Sequence, residues 1–309
     1  LETLLLALTT PFMVVLIVFE LIYSHFSKKQ LYTKGDTFIN LLCTSWNFIN
    51  DLLFRVITLF VLTWASSFSV FHFNEKGIIY WLLLFLAEDF AYYVLHFADH
   101  HIRFFWATHI THHSSEKFNF TVAIRSSVFQ PFYRFVFYLP LAFLGFEALD
   151  IVFMYAACQV YGFWVHTEII GKLPPWFEFV FVTPSHHRVH HGANPIYLDK
   201  NMGMALIIWD RIFGTFQEEL KEEPVKYGLT TNVRSYHPLK VVFFEWNNII
   251  NDLKQIQNRR HFLKYIFGPP GWSHDGSRKT SKELKIEWMK NNNNEIEINK
   301  SKRVEVIDL

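Results

Sequence analysis

The chain has 309 residues, of which 51% are hydrophobic and 18% aromatic, with 34 phenylalanines and a mean hydropathy of +0.13. That is too apolar for a soluble domain of this length. Its 29 basic and 28 acidic residues nearly cancel, so no global field favours nucleic acid. Cys43 and Cys158 both lie in apolar stretches, which argues against a disulfide framework and a thiolate metal site. Both read as small core residues.

Apolar runs at about 4–23, 47–71, 78–96, 128–146 and 148–166 are the expected membrane spans. No A-x-A-like cleavage site follows the first, which reads as a retained span and not a signal peptide. Asp51 and Arg55 in the second are expected to pair or to reach the interface. Glu88 and Asp89 lie in the third, where carboxylates are expensive and usually mark function. The fourth and fifth runs form a tight hairpin around Gly145-Phe146-Glu147, with Pro131 and Pro140 as kink points. Lys28, Lys29 and Lys34 outweigh Asp36 in the loop 24–37, which the positive-inside rule places in the cytoplasm. Counting spans from that loop puts 97–127 and everything after 166 on the same side.

Past the fifth run, Thr183-Pro184-Ser185 reads as a helix start with Ser185 as cap, and Gly192 as the stop. The apolar segment 202–213 is too short for a span and suggests an interfacial helix. From about 281 the composition turns to Lys, Glu and Asn. Residues 281–309 are expected to be a disordered polar tail behind one membrane-embedded unit, 1–280. The fold class is therefore all-α and integral to a membrane, with four to five transmembrane helices and a cytoplasmic helical cap. A bacterial inner membrane or the endoplasmic reticulum would suit it.

The chemistry lies in the histidines. They form three clusters: His96 and His100; His109, His112 and His113; His187, His190 and His191. Residues three and four apart share a helix face, so each cluster can aim several imidazoles at one point. Together these eight can hold two metals with open positions. His166 ends the fifth run at the same depth and is a ninth candidate ligand or a partner behind the ligands. His186 offers an alternative register in the third cluster. His101 points about 100° away from His100 and reads as a solvent or headgroup contact. His25, His72, His237, His261 and His274 are isolated and read as surface residues. Glu88 and Asp89 could accept the far N–H of metal-bound imidazoles, or pair with Arg103 or Arg125. Imidazole alone does not choose the metal. A metal pair at a membrane surface over an apolar cavity suits oxygen chemistry on a lipid, which zinc cannot perform, so two iron ions are expected. Aromatic residues of the first three spans either line that cavity or simply face lipid. A metal transporter or sensor is the alternative outside catalysis, but histidines gathered at one face do not form a pathway.

The clusters, in this order, resemble the fatty acid hydroxylase and sterol desaturase superfamily of membrane di-iron enzymes. The resemblance runs through Glu88-Asp89-Phe90, Trp106-Ala107-Thr108-His109, Trp164-x-His166-Thr167-Glu168, Thr183 to Gly192, Asp199-Lys200-Asn201 and Ile208 to Phe216. The wording between the histidines is more specifically similar to the alkylglycerol monooxygenase subfamily. Tyr227-Gly228-Leu229-Thr230 and Gly268-Pro269-Pro270-Gly271-Trp272 are similar to that subfamily too. The likeness covers about residues 35–285 and implies an oxygen-dependent lipid monooxygenase in which the eight clustered histidines are catalytic. Its reductant would be tetrahydrobiopterin or a redox protein; His101 stands in place of an acid expected in the pterin-dependent subfamily. It also implies an ether-lipid substrate, whose hydroxylated carbon collapses to aldehyde and glycerol. A sterol or carotenoid-type desaturase or hydroxylase would use the same metal site.

Overall fold

The computed structural model describes residues 1–256 and 258–292. Three helices are long and apolar enough to cross a bilayer: α1 (Glu2–Ser27), α2 (Lys34–Ser66) and α3 (Ile78–His101). The Thr33 hydroxyl accepts the Asp36 N–H at 3.3 Å and caps α2. The second span thus begins at 34, well before the expected 47, and ends at 66. Phe12, Phe19 and Phe60 are exposed and point outward, so the first two spans wear aromatic residues against lipid. Asp51 and Arg55 pair as expected: Arg55 binds Asp51 and Glu2, and Arg134 also reaches Asp51.

α4 (Arg103–His113) and the single turn α5 (Phe120–Ala123) follow, then α6 (Phe135–Phe143) and α7 (Ala148–Trp164). The fourth expected span is broken. Asn47 and Asn50 donate to the carbonyls of Ser127 and Val128, both at 2.8 Å, capturing peptide groups a helix would use. Pro131 then opens only a 3-10 turn, Gln130–Phe132. The nine residues of α6 rise about 14 Å, roughly half a hydrocarbon core. The expected four to five crossings are realised as three full helices and this shorter hairpin. Gly145 makes its turn at φ 98°, where an added Cβ would lie 2.1 Å from the Phe71 carbonyl oxygen. Leu62, Leu84, Leu95 and Ile151 form the core between α2, α3, α6 and α7.

The cap follows with α8 (Pro175–Val180), α9 (Pro184–His190), α10 (Ile208–Phe213), α11 (Pro238–Val242), α12 (Phe244–Gln255) and α13 (Phe262–Phe267). The cap of α9 is Thr183, not Ser185, because both hydroxyls are drawn to the Glu178 carboxylate. The expected helix over 202–213 shrinks to α10. Two carboxylates take the peptide N–H groups before it: Asp210 those of Met202 and Gly203, Asp89 those of Ala205 and Leu206. Contrary to the expectation of disorder, residues 281–292 are helical. A reciprocal cap starts this helix: Thr280 N–H donates to Glu283 at 2.8 Å, and Glu283 N–H to the Thr280 hydroxyl. The remainder of that expectation, 293–309, lies outside the described residues. There are only isolated β-bridges, and no strands, among the described residues.

Loop 24–37 and the histidine clusters share one end of the bundle. The Glu20 carboxylate accepts the Phe120 N–H at 2.7 Å and binds Thr167, and Asn119 donates to the Leu31 carbonyl at 2.7 Å.

Candidate metal centre

Nine histidines converge in two groups. The first contains His96, His100, His109, His113 and His190; the second contains His112, His166, His187 and His191. Within each, one nitrogen from every ring lies within 4.8 Å of the others. The groups do not follow the sequence clusters. His109 and His113, four apart on α4, go to the first group while His112 turns to the second. His187 and His191, four apart at α9, go to the second while His190 turns to the first. Four residues bring a side chain round to within 40° of its starting face, whereas three leave it 60° off on the other side. The cap and the bundle are thereby stitched through both groups. His166 sits just past α7 and donates its Nδ1–H to the Gly162 carbonyl at 2.7 Å.

The outer nitrogens decide the tautomers. A carbonyl can only accept, so each Nδ1 facing one carries hydrogen. His96 donates to Met202 O at 2.8 Å, His112 to Arg125 O at 3.1 Å and His190 to Lys200 O at 2.9 Å. Their Nε2 lone pairs then point inward. His109 Nε2 lies 3.0 Å from that of His96 and 3.1 Å from that of His113, and His166 Nε2 lies 2.9 Å from that of His187. The Nε2 atoms of His100, His190 and His191 are buried without any partner. Lone pairs crowded together this way repel unless a cation sits among them. Burial also pushes the imidazoles of His109, His112, His113, His187, His190 and His191 well below the usual histidine range, and neighbouring histidines add to this. They are neutral and ready to ligate at neutral pH. The donor set fits a pair of metal ions.

Several positioning groups were not legible as such. Loop 199–202 supplies three outer partners: the Asp199 carboxylate 3.4 Å from His100 Nδ1, and the carbonyls of Lys200 and Met202. Asp199 and Asn201 hold left-handed φ of 53° and 56°, and Asn201 fixes the turn by donating to His186 O and Gln217 O. Asp99 lies fully buried with one oxygen 3.7 Å from His109 Nδ1, beside Ser127 Oγ at 3.2 Å. Both roles offered above for Glu88 and Asp89 fail. Asp89 binds the Ala205 and Leu206 N–H groups and the Trp209 indole. Glu88 lies buried beside the Cys158 thiol with no other partner. Arg103 pairs with Glu245 and Asp252, and Arg125 with Asp36. His186 is buried outside both groups with its ring near Phe216, and His101 is stacked on Phe97 at 3.8 Å toward the surface. His25, His72, His237 and His274 are exposed as expected; His261 is half-buried.

Two cavities reach the centre from opposite sides. A chamber of about 620 Å³ touches His100, His113, His190 and His191. Trp106, Ile110, Leu229, Phe244 and Leu284 give it an apolar side, and the Gly228 and Gly271 turns close it. On the bundle side a crevice of about 70 Å³, edged by Tyr92, Arg134 and Gln159, touches His96, His109, His112, His166 and His187. The larger of these two spaces lies under the cap and is not lined by aromatic residues of the first three spans. Tyr227-Gly228-Leu229-Thr230 and the Gly-Pro-rich segment, remote from the histidines in sequence, both meet at this chamber.

The fatty acid hydroxylase family model matches residues 81–215, a stretch that contains all nine histidines. The chain carries a fatty acid hydroxylase domain. Alkylglycerol monooxygenases from Xenopus tropicalis and Homo sapiens are 36% and 37% identical to it, each across 85% of this chain and 58% and 59% of their own lengths. An ornithine lipid hydroxylase from Rhizobium tropici is 26% identical over 47% of this chain and 44% of its own. The chain thus spans a little under three fifths of these two alkylglycerol monooxygenases. No solved structure matches it. The fatty acid hydroxylase domain begins inside α3 and ends just after α10, so α1, all of α2 and the chamber roof are packed around it from outside the matched stretch.

Proposed function

We propose that the protein is a membrane-bound, oxygen-dependent lipid monooxygenase whose nine clustered histidines hold two iron ions. The observation that carries this reading is the set of buried, unpartnered Nε2 atoms of His100, His190 and His191, with the outer nitrogens of His100 and His190 anchored on Asp199 and the Lys200 carbonyl. Iron, when bound, supplies the activation of dioxygen for attack on a C–H bond, which zinc could not supply. His96, His100, His109, His113 and His190 would hold one ion, and His112, His166, His187 and His191 the other. Met202, Lys200, Arg125 and Gly162 carbonyls keep the rings aimed inward. The chamber admits the lipid, with Trp106, Leu229 and Phe244 against its apolar part, and screens the reacting carbon from bulk water.

The substrate we favour is an alkylglycerol ether, in keeping with the names of the alkylglycerol monooxygenases matched over most of this chain. Hydroxylation beside the ether oxygen gives a hemiacetal that collapses to aldehyde and glycerol. The relative that hydroxylates ornithine lipid supports a second reading, hydroxylation of a non-ether lipid. The electron donor is tetrahydrobiopterin or a redox protein. The positive charge of Lys28, Lys29 and Lys34 at the same end of the bundle supports a cytoplasmic face for the metal centre. The test incubates iron-loaded protein with an alkylglycerol and oxygen, supplying either tetrahydrobiopterin or a ferredoxin system. Fatty aldehyde that disappears in His112→Ala supports the reading. No oxidised lipid from either substrate class with either donor overturns it.

A further inference from the structure

The outer surroundings of the two histidine groups differ in charge. In the first group, Asp99 stands against His109 Nδ1 and Asp199 against His100 Nδ1. In the second, the outer partners are the neutral carbonyls of Arg125 and Gly162, and among the described residues no carboxylate oxygen lies within 4.0 Å of a ring nitrogen of its four histidines. The first group also has five rings against four. Asp99 is held for this position. The Tyr133 hydroxyl donates to one oxygen at 2.7 Å and the Gln130 amide to the other at 2.8 Å, leaving the second oxygen toward His109. His109 is the ring whose Nε2 touches two other inner nitrogens, so its orientation sets the middle of the first group.

A carboxylate accepting the outer N–H of an imidazole, as Asp199 is placed to do 3.4 Å from His100 Nδ1, makes the inner nitrogen a stronger donor. A carboxylate held nearby, as Asp99 is 3.7 Å from His109 Nδ1 with Ser127 Oγ nearer at 3.2 Å, adds negative charge near the cation. Resting on the two-metal reading above, we infer that the two metal positions are unequal: the Asp99 and Asp199 carboxylates make the five-histidine position the tighter one, which fills first. Asp99 and Asp199 are positioning residues that act through His109 and His100. Asp99 has a specific acceptor arrangement, so Asp99→Asn removes charge and also sets an amide N–H against one of the two donors that now point at it.

The test titrates chelator-stripped protein in detergent micelles with Co2+, following the visible d–d bands and counting bound ions by elemental analysis. Wild type is expected to bind two ions per chain in two steps, the first at least about tenfold tighter. Asp99→Asn and Asp199→Asn each weaken the first step by roughly 10–100-fold and shift its bands, with the second step unmoved. His187→Ala removes the second step only and so assigns the steps. Asp99→Glu, which keeps the charge, recovers part of the lost affinity. If Asp99→Asn fails to fold by circular dichroism, Asp199→Asn, whose carboxylate is on a half-exposed loop, decides. Two ions bound with equal affinity in wild type, or a first step unmoved by the aspartate substitutions, overturns the inference and leaves the metal reading standing. Fewer than two ions in wild type overturns the metal reading itself.

Discussion

Arg125→Met is the most informative perturbation of the scaffold behind the metal centre. Arg125 is buried and donates four hydrogen bonds: to Thr111 O at 2.8 Å, Asp36 Oδ1 at 2.8 Å, Asn40 Oδ1 at 2.9 Å and Ser114 Oγ at 2.7 Å. Its own carbonyl receives the His112 Nδ1–H. The guanidinium thus ties the start of α2 to the end of α4, directly behind the second histidine group. Methionine keeps much of the length and loses every donor. Asp36 stays buried, with only the Asn40 amide and the Ser115 hydroxyl left to its side chain. Removing one partner of a buried pair costs about 3–5 kcal/mol. For domains of a couple of hundred residues each kcal/mol moves the melting temperature by roughly 2–4 °C, so the drop is on the order of 10 °C. Differential scanning fluorimetry in detergent, with metal counted by elemental analysis, reads both effects. Adding Asp36→Asn removes the stranded carboxylate and recovers part of the loss. A single variant melting within about 3 °C of wild type would refute the reasoning, since four buried charge-assisted bonds would then contribute nothing.

Single replacements His113→Ala and His190→Ala remove a ligand for which no nearby carboxylate is placed to substitute, so bound metal and activity both fall to background, while exposed His237→Ala leaves both unchanged. The pH dependence has a definite sign. The buried imidazoles outside the spans titrate well below their unfolded value of about 6.5, so below that pH the unfolded chain binds more protons and stability falls. Each histidine contributes up to about 1.4 kcal/mol per pH unit in that window, and metal-free protein should melt progressively lower from pH 7 to 5. A flat melting profile there would contradict the burial. Gly145→Ala forces a Cβ against the Phe71 carbonyl at positive φ and should lower the melting temperature by several degrees with metal content unchanged.

The convergence of the histidines was legible because a helical spacing of three and four is written in the chain. The division into groups needed the helix phase: His112 and His190 cross to the opposite group from their cluster neighbours. The outer partners were mostly hidden, since backbone carbonyls of Gly162, Arg125, Lys200 and Met202 leave no mark on residue type. Asp99, beside His100, was visible but overshadowed by Glu88 and Asp89, whose depth in a span draws attention. Asp89 instead holds a loop, a structural duty that spacing alone could not separate from a catalytic one. The fourth span failed because side chains 80 and 78 residues away, Asn47 and Asn50, take the peptide groups that a helix needs. The helix over 281–292 escaped notice because its polar composition outweighed a Thr280-x-x-Glu283 capping pair that was plain in the sequence.

The central claim is that two irons held by these histidines put an oxygen atom from dioxygen into a lipid. Mass spectrometry of the lipid product formed under 18O2 by protein carrying two irons per chain tests it most directly. One 18O atom per product molecule is predicted, in the alcohol of a hydroxylated lipid or in the aldehyde released from an ether and trapped by reduction. The label should vanish in His112→Ala. A product without label, or the same labelled product from His112→Ala, would contradict the account.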